Sequence, residues 1–284
     1  MGLFSDVLLT VDYDRTMTNV QNEIPPRNLE AIRYFMDNGG AFTLNTGRSF
    51  PMSKTCRETV PVNAPLLLYN GAAAYNMETG KMEFCHTIDL DMQETVRWCM
   101  DAFPELTVEV QGLEAHYCFE ENWAWYNFRG HNHCARRFAD VNEDLGPFLK
   151  FALYLPFRGE TMADMYACTP EENDRVHQVE RLLREKFGEK IEVFRPTARI
   201  MDVMASGVSK DRAARQLQQR LGRKILVCVG DGENDVPMLQ GADFAFSPAD
   251  GVVADRFENV CPCGDGAVAD VIYKKIPEIL QNKA

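Results

Sequence analysis

Apolar residues along the chain fall into two textures. Up to about Met82, short continuous apolar runs alternate with stretches of helical period. Val7-Leu8-Leu9-Thr10-Val11 reads as a buried strand. Leu29, Ile32, Phe35 and Met36 recur at helical spacing before Gly39-Gly40, which ends the helix. Ala41–Asn45 and Pro65–Tyr69 read as two further strands, with a helix between them around Ser49–Glu58. Strand, helix, strand, helix, strand implies βαβ units and a parallel sheet.

After Met82 the texture changes. Leu90–Phe103 has a helical pattern, and Thr107–Val110 with His116–Phe119 reads as a hairpin. An aromatic-polar stretch over Glu120–Asp144 is followed by a strand at Phe148–Leu155. Thr169-Pro170-Glu171-Glu172 combines a capping box with proline at the first helical position. The helix it opens carries a stripe of Val176, Val179, Leu182, Leu183 and Phe187 and stops at Gly188. Ile191–Phe194 and Arg199–Val203 then read as strands, so this block has the pattern of a separate α+β domain inserted into the first. The parallel texture resumes near Val208. Ser209-Lys210 opens a helix, Ile225–Val229 is a buried strand, and a short helix runs through Met238-Leu239. Asp243–Phe246 is a further strand, and Asp265–Leu280 folds back as the last helix.

Composition narrows the function classes. A chain of 284 residues with 45% hydrophobic positions suits two domains with substantial cores. Its formal charge of -12 argues against a broad nucleic-acid-binding face, which would need many basic residues. A small phosphorylated ligand, held by a few local cations and a metal, remains compatible with that charge. Nine cysteines, none in a CxxC arrangement and most in apolar surroundings, read as reduced thiols. With no signal-type segment and no apolar run of about 20 residues, the expectation is a soluble cytoplasmic protein away from membranes.

Four element ends carry polar chemistry: Asp12 and Asp14, then Thr46, then Lys210, then Asp231 and Asp235. Taken alone, Asp12 and Asp14 have a plain alternative as caps of a solvated turn. If the strands run parallel, however, the groups they carry converge on one sheet edge, where open α/β sheets bind ligands. Several carboxylates around one point favour a hard divalent cation, and a hydroxyl with an ammonium suits a phosphoryl group. The arrangement is one for metal-assisted phosphoryl transfer.

These segments resemble the haloacid dehalogenase superfamily, and within it the Cof-type phosphatases with a type IIB cap. Val11-Asp12-Tyr13-Asp14-Arg15-Thr16 resembles the family's DxDGT motif, and Leu44-Asn45-Thr46-Gly47-Arg48 its second motif. Gly207-Val208-Ser209-Lys210-Asp211 resembles the third motif, and the GDGENDVPML run from Gly230 to Leu239 the fourth. Asn70-Gly71-Ala72 matches a further Cof-type feature. The resemblance implies a Rossmann-like parallel-sheet core over residues 1–85 and 197–284, with a C2B-type α+β cap over 86–196. It implies Asp12 as nucleophile and Asp14 as general acid and then base. Mg2+ would be held by Asp12, the Asp14 carbonyl and Asp231, with Asp235 as ligand or support and Asn234 orienting the carboxylates. Thr46 and Lys210 would bind the phosphoryl oxygens, and Asn70 belongs to the same phosphate-binding set. Arg48 either contacts substrate or packs at its loop.

The implied activity is hydrolysis of a small phosphorylated metabolite, a sugar phosphate or similar, through an aspartyl-phosphate. The alternatives are a phosphomutase of the same superfamily and a non-catalytic phosphometabolite sensor. Two positions depart from the family pattern: Arg15 stands where glycine is usual, and Ser247-Pro248-Ala249 where many relatives carry Gly-Asn-Ala. Trp123, Trp125, Tyr126, Arg129, His131, His133 and Arg195 are candidates for leaving-group contacts, with packing in the cap core or a domain interface as the alternative. His131, His133 and Cys134 form a further, weaker metal-ligand candidate.

Overall fold

A computed structural model describes residues 2–119, 136–156 and 167–283. The chain divides into two compact units: Met1–Gly47, Cys56–Phe84 and Ser209–Ala284 form one, and Arg48–Thr55 with Cys85–Val208 the other. The sequence-based boundary at residue 196/197 falls inside the strand Ile191–Thr197, which pairs onward with Ile200–Ala205.

In the first unit, five strands form a parallel sheet in the order Glu258–Val260, Phe244–Pro248, Ile225–Val229, Val7–Val11, Ala41–Leu44. Every residue of the three strands Val7–Val11, Ala41–Leu44 and Ile225–Val229 is buried, as their near-continuous apolar character requires. Register aligns their C-terminal ends: Val11 sits opposite both Val229 and Leu44. Asp12, Thr46 and Asp231 therefore leave the sheet at one edge. The helix Pro26–Asp37 begins at a proline, as the run of its apolar positions suggests, and buries Ala31, Ile32 and Phe35. The last helical segment starts at Ala267 and continues through a π-helical stretch, Val271–Lys275, into Ile276–Lys283.

Two expectations need correction. The apolar run after Pro65 does not extend the parallel sheet as a full strand; one parallel bridge, Asn45 to Leu67, joins it there. Leu66–Leu68 instead pairs antiparallel with Ala73–Asn76, which in turn neighbours Lys81–Cys85. Its three-residue length and the adjacent partner hairpin explain the difference. The helix expected around Ser49–Glu58 is confined to Lys54–Thr59; turns precede it, in which Ser49 Oγ accepts the Met52 amide and the Ser53 hydroxyl donates to Phe50 O. Two further strands, Glu258–Val260 and Arg136–Phe138, are too short to give a periodic signal in the sequence.

In the second unit six strands form a sheet in the order Ile191–Thr197, Ile200–Ala205, Lys150–Tyr154, Thr107–Gln111, His116–Cys118, Arg136–Phe138. All neighbours are antiparallel except the last pair. One face is apolar and meets the helices Met92–Ala102 and Pro170–Phe187; Phe187 lies 5.2 Å from Trp98 and 6.5 Å from Phe151, ring centre to ring centre. Thr169 caps the second helix reciprocally with Glu172, as its sequence dictates. Together the parallel core and the α+β second unit make the mixed α/β architecture expected from the sequence. Replacing Thr169 by alanine leaves the Glu172 amide without its acceptor. We expect it to lower the unfolding free energy by about 1 kcal/mol in a urea titration, with no change in the slope.

Candidate active site

The fold brings Asp12, Lys210, Asp231 and Asp235 together within the first unit. Asp12 follows directly from its strand, and its amide still donates to Val229 O at 2.9 Å. Asp231 lies two residues beyond Val229, and its neighbour Gly230 is required by contact. A Cβ on Gly230 would sit 2.6 Å from the Asp235 Cγ. The absence of that side chain lets the Asp235 carboxylate turn back, where Oδ2 accepts the main-chain amides of Asp231 at 3.1 Å and Gly232 at 2.9 Å.

Lys210 enters from the first position of the helix Lys210–Arg220. The Ser209 hydroxyl accepts the Arg212 amide and fixes where that helix starts. An ammonium at a helix N-terminus opposes the helix dipole by about 0.3–1 kcal/mol. Two carboxylates offset this: Lys210 Nζ donates to Asp12 Oδ1 at 2.5 Å and to Asp235 Oδ1 at 2.6 Å. Lys210 is only 1% exposed, so these are buried ion pairs. Asn45 supports it from behind, its Nδ2 donating to the Lys210 carbonyl at 2.9 Å.

Oxygens of Asp12, Asp231 and Asp235 lie within 4.8 Å of one another, and all three residues are buried. Two unit charges at that separation repel by about 3 kcal/mol even at an effective dielectric constant of about 20. One ammonium does not neutralise three carboxylates. Burial first, and then Asp235, push Asp231 up to about 7, although the Thr16 hydroxyl, Arg15 and Lys210 pull the other way. Asp12 is likewise held well above the ordinary carboxylate range by burial, with Lys210 opposing and Asp235, Asp231 and Asp14 adding to the rise. Burial lowers the Lys210 ammonium, but Asp12 and Asp235 more than compensate and hold it protonated. A compact set of buried oxygen donors with excess negative charge is what a hard divalent cation requires. The residues therefore fit Mg2+.

The other sequence-selected positions are distributed as follows. Asp14 is half-buried and outside the three-carboxylate group, yet near enough to raise Asp12. Thr46 is buried at the same sheet edge; its amide donates to Leu67 O and its carbonyl accepts the Asn70 amide, each at 3.0 Å. Asn70 is thereby tied to the Thr46 loop, and a Cβ on Gly47 would stand 2.9 Å from Asn70 Oδ1. Asn234 is half-buried on the turn between Asp231 and Asp235. Arg48 belongs to the second unit, where its Nη1 donates to Met52 O at 3.5 Å. Arg195 bonds Asn173 at 3.0 Å and pairs with the His177 ring at 3.3 Å. Trp123, Trp125, Tyr126, Arg129, His131, His133 and Cys134 lie outside the described residues.

Arg15 occupies the left-handed region, at φ 60° and ψ 9°. That conformation costs a non-glycine residue about 1–2 kcal/mol, which explains why glycine is usual there. The turn nevertheless closes, with Met17 N donating to Asp12 O at 3.2 Å and Thr18 N to Tyr13 O at 3.0 Å. In the Ser247-Pro248-Ala249 segment, Ser247 is buried, and beyond it the Val253 amide donates to Asp231 O at 3.2 Å. Two residues not singled out from the sequence also contribute. Thr16 donates from Oγ1 to Asp231 Oδ1 at 3.0 Å, and Asn45 holds Lys210. Their places inside two of the motifs were the available signal.

The chain belongs to the haloacid dehalogenase-like hydrolases: that family's sequence profile matches residues 9–253. The resemblance drawn from the motifs is borne out. Among curated proteins, it is 20% identical over 236 residues to a Buchnera aphidicola (subsp. Schizaphis graminum) protein named as a candidate phosphatase, covering 82% of this chain and 80% of the relative. Among solved structures, it superposes on a haloacid dehalogenase-like hydrolase from Bacteroides thetaiotaomicron with a TM-score of 0.76 at 19% identity, covering 94% of this chain and 98% of the other. It superposes on the HAD subclass IIB sugar phosphatase BT4131 with a TM-score of 0.75 at 14% identity, covering 95% and 99%. At these identities the structural likeness establishes a shared fold. Among the described residues, no helix is long and apolar enough to cross a membrane.

The raised Asp231 carboxyl gives a pH signature with a definite sign. Its folded value of about 7 lies above the ordinary 3.8, so the metal-free folded state binds the extra proton. Stability without metal falls as pH rises between those values, by up to about 1.4 kcal/mol per pH unit for one group, and levels off above the folded value. We expect thermal unfolding in EDTA to show this decline from weakly acid to neutral pH. Asp231→Asn should make it shallower, leaving the part that the raised Asp12 contributes, and raise the melting temperature at neutral pH. An unchanged slope in Asp231→Asn would contradict the assignment.

Proposed function

We propose that the protein is a Mg2+-dependent phosphomonoesterase that hydrolyses a small phosphorylated metabolite, a sugar phosphate or similar, through an aspartyl-phosphate. The observation that carries this reading is the buried Lys210 ammonium bonded to both Asp12 and Asp235 inside a three-carboxylate cluster. A solvated turn cap would need neither the burial nor the lysine. Membership of a hydrolase family supports hydrolysis, and the sugar phosphatase BT4131 supports the substrate class through its fold.

In this reading an Asp12 carboxylate oxygen attacks phosphorus, while the ester bond to the leaving alcohol breaks. Asp14 gives its proton to that leaving oxygen, then takes one from the incoming water. The water oxygen attacks phosphorus, the bond to Asp12 breaks, and inorganic phosphate departs. Lys210 holds Asp12 Oδ1 and brings positive charge to the phosphoryl oxygens, which Thr46 also binds, with Asn70 bracing its loop. Asp12, the Asp14 carbonyl, Asp231 and Asp235 would hold the cation, with Asn234 orienting the carboxylates. When bound, Mg2+ supplies the charge that allows an anionic nucleophile to approach an anionic phosphate ester.

The first unit serves as the catalytic core and the second as the cap that selects the leaving group. Arg48 and Arg195 are its described candidates for that role. Cytoplasmic placement belongs to the same reading and is supported by the free thiols of all eight cysteines among the described residues.

Asp12→Asn keeps the shape of the side chain but removes the nucleophile. Phosphate release from a panel of sugar phosphates and p-nitrophenyl phosphate with Mg2+ should drop by about four orders of magnitude. Circular dichroism should be unchanged. Turnover retained by the pure variant would defeat the covalent mechanism.

A further inference from the structure

The turn beside the Lys210 helix carries an unusual backbone. Tyr69, Asn70 and Gly71 follow one another in the left-handed region, at φ 51°, 52° and 96°. L-residues enter that region singly, because Cβ crowds the following carbonyl, and a bulky side chain there is rarer still. Tyr69 and Asn70 are each no more than 1% exposed, so neither gains solvation in return for its strain. Backbone held in this way persists only where its surroundings over-determine it, and it gathers at sites that need fixed placement.

The surroundings all lie in the first unit. The Asn70 amide donates to Thr46 O and the Ala72 amide to Tyr69 O, each at 3.0 Å. Leu66–Leu68 enters the turn and Ala73–Asn76 leaves it as an antiparallel pair, with Leu68 opposite Ala73. Leu67 and Ala74 of that pair share one apolar cluster with Ala213, Ala214 and Leu217 of the Lys210–Arg220 helix. Turn and helix meet at Gly71. A Cβ there would stand 2.5 Å from Ser209 O and 2.8 Å from the Ala213 Cβ. Gly71 therefore abuts the carbonyl of the residue that caps the helix, one position before Lys210. That same carbonyl accepts the Ala213 amide at 3.2 Å.

Three contacts define the start of this helix. The Ser209 hydroxyl fixes the residue at which it begins, and Asn45 Nδ2 holds the Lys210 carbonyl. Both are hydrogen bonds, which stretch at modest cost. The contact at Gly71 is a closed van der Waals contact, whose repulsion rises steeply. Lys210 has to reach two acceptors at once, Asp12 Oδ1 at 2.5 Å and Asp235 Oδ1 at 2.6 Å, from a backbone one residue beyond that contact. We propose that Gly71 is a positioning residue for Lys210: the left-handed turn is a rigid stop for Ser209 O, and it sets the depth from which the ammonium bridges Asp12 and Asp235. Its bearing on turnover rests on the phosphatase reading; its bearing on the lysine does not.

Gly71→Ala is the direct test. Ordinary contact needs about 1 Å more room than the added Cβ finds, so turn and helix have to part by that much. With Mg2+ present, kcat for p-nitrophenyl phosphate should fall about 100-fold, the scale of a misplacement of about 1 Å. Crystal structures of the wild type and the variant should show Lys210 Nζ displaced, with its bond to Asp12 or Asp235 lost. Gly80→Ala and Gly222→Ala are the controls. Both glycines are left-handed, at φ 67° and 63°, yet a Cβ on either meets nothing closer than 3.8 Å. They carry the backbone penalty without the collision, so they should melt earlier than the wild type and keep kcat within about twofold. Ala213→Val crowds the same contact from the helix side and carries the same expectations should Gly71→Ala fail to fold. A folded variant in which the turn yields and Nζ keeps both bonds would overturn the proposal, as would a loss of kcat matched by either control. If the wild type hydrolyses no phosphate ester, the phosphatase reading falls, and the crystal structures alone decide whether Gly71 places Lys210.

Discussion

The first unit is arranged around one ammonium among three carboxylates. Lys210 reaches Asp12 and Asp235 where all three side chains are buried, and the net negative charge that remains is of the kind a hard cation suits. A buried ion pair of this kind adds little net stability, since desolvation offsets most of its attraction. Removing one partner is different, because it strands the others in a low dielectric. The cluster is best understood as a functional cost that the parallel sheet, with its fully buried strands, is able to bear.

Local features that look like defects follow from that requirement. A lysine at the start of a helix opposes the helix dipole, yet the Ser209 cap fixes it there. Gly230 breaks the strand's side-chain sequence so that Asp235 can fold back onto main-chain amides. Arg15 holds a left-handed conformation between Asp14 and Thr16, and its charge draws Asp231 downward. It supplies positive charge beside the cluster at a backbone cost that glycine would avoid. The sensor alternative drew only on Arg15, and the turn around it closes with its backbone bonds intact.

Much of this could be read from the sequence, because near-continuous apolar runs dictate buried parallel strands and their ends dictate where polar groups gather. Asp12, Lys210, Asp231 and Asp235 were recognisable as a group for that reason, and the structure places them within bonding reach. The cap box at Thr169 and the hairpin after Thr107 were equally plain. The short strand at Leu66–Leu68 was misassigned because an apolar triplet does not say which edge it will join. The meeting of Gly71 with Ser209 escaped notice for a different reason. It joins residues far apart along the chain, which leaves no local pattern. Thr16 and Asn45 were hidden in the opposite way, as modest polar residues inside motifs dominated by charged ones.

Transfer of the phosphoryl group to Asp12, as proposed, is open to reductive trapping. Wild-type protein quenched during turnover of a phosphate ester with Mg2+, treated with borohydride and examined by peptide mass spectrometry should show a reduced carboxyl at Asp12. Reduction at another carboxylate, or steady turnover with no reducible acyl phosphate, would contradict the account.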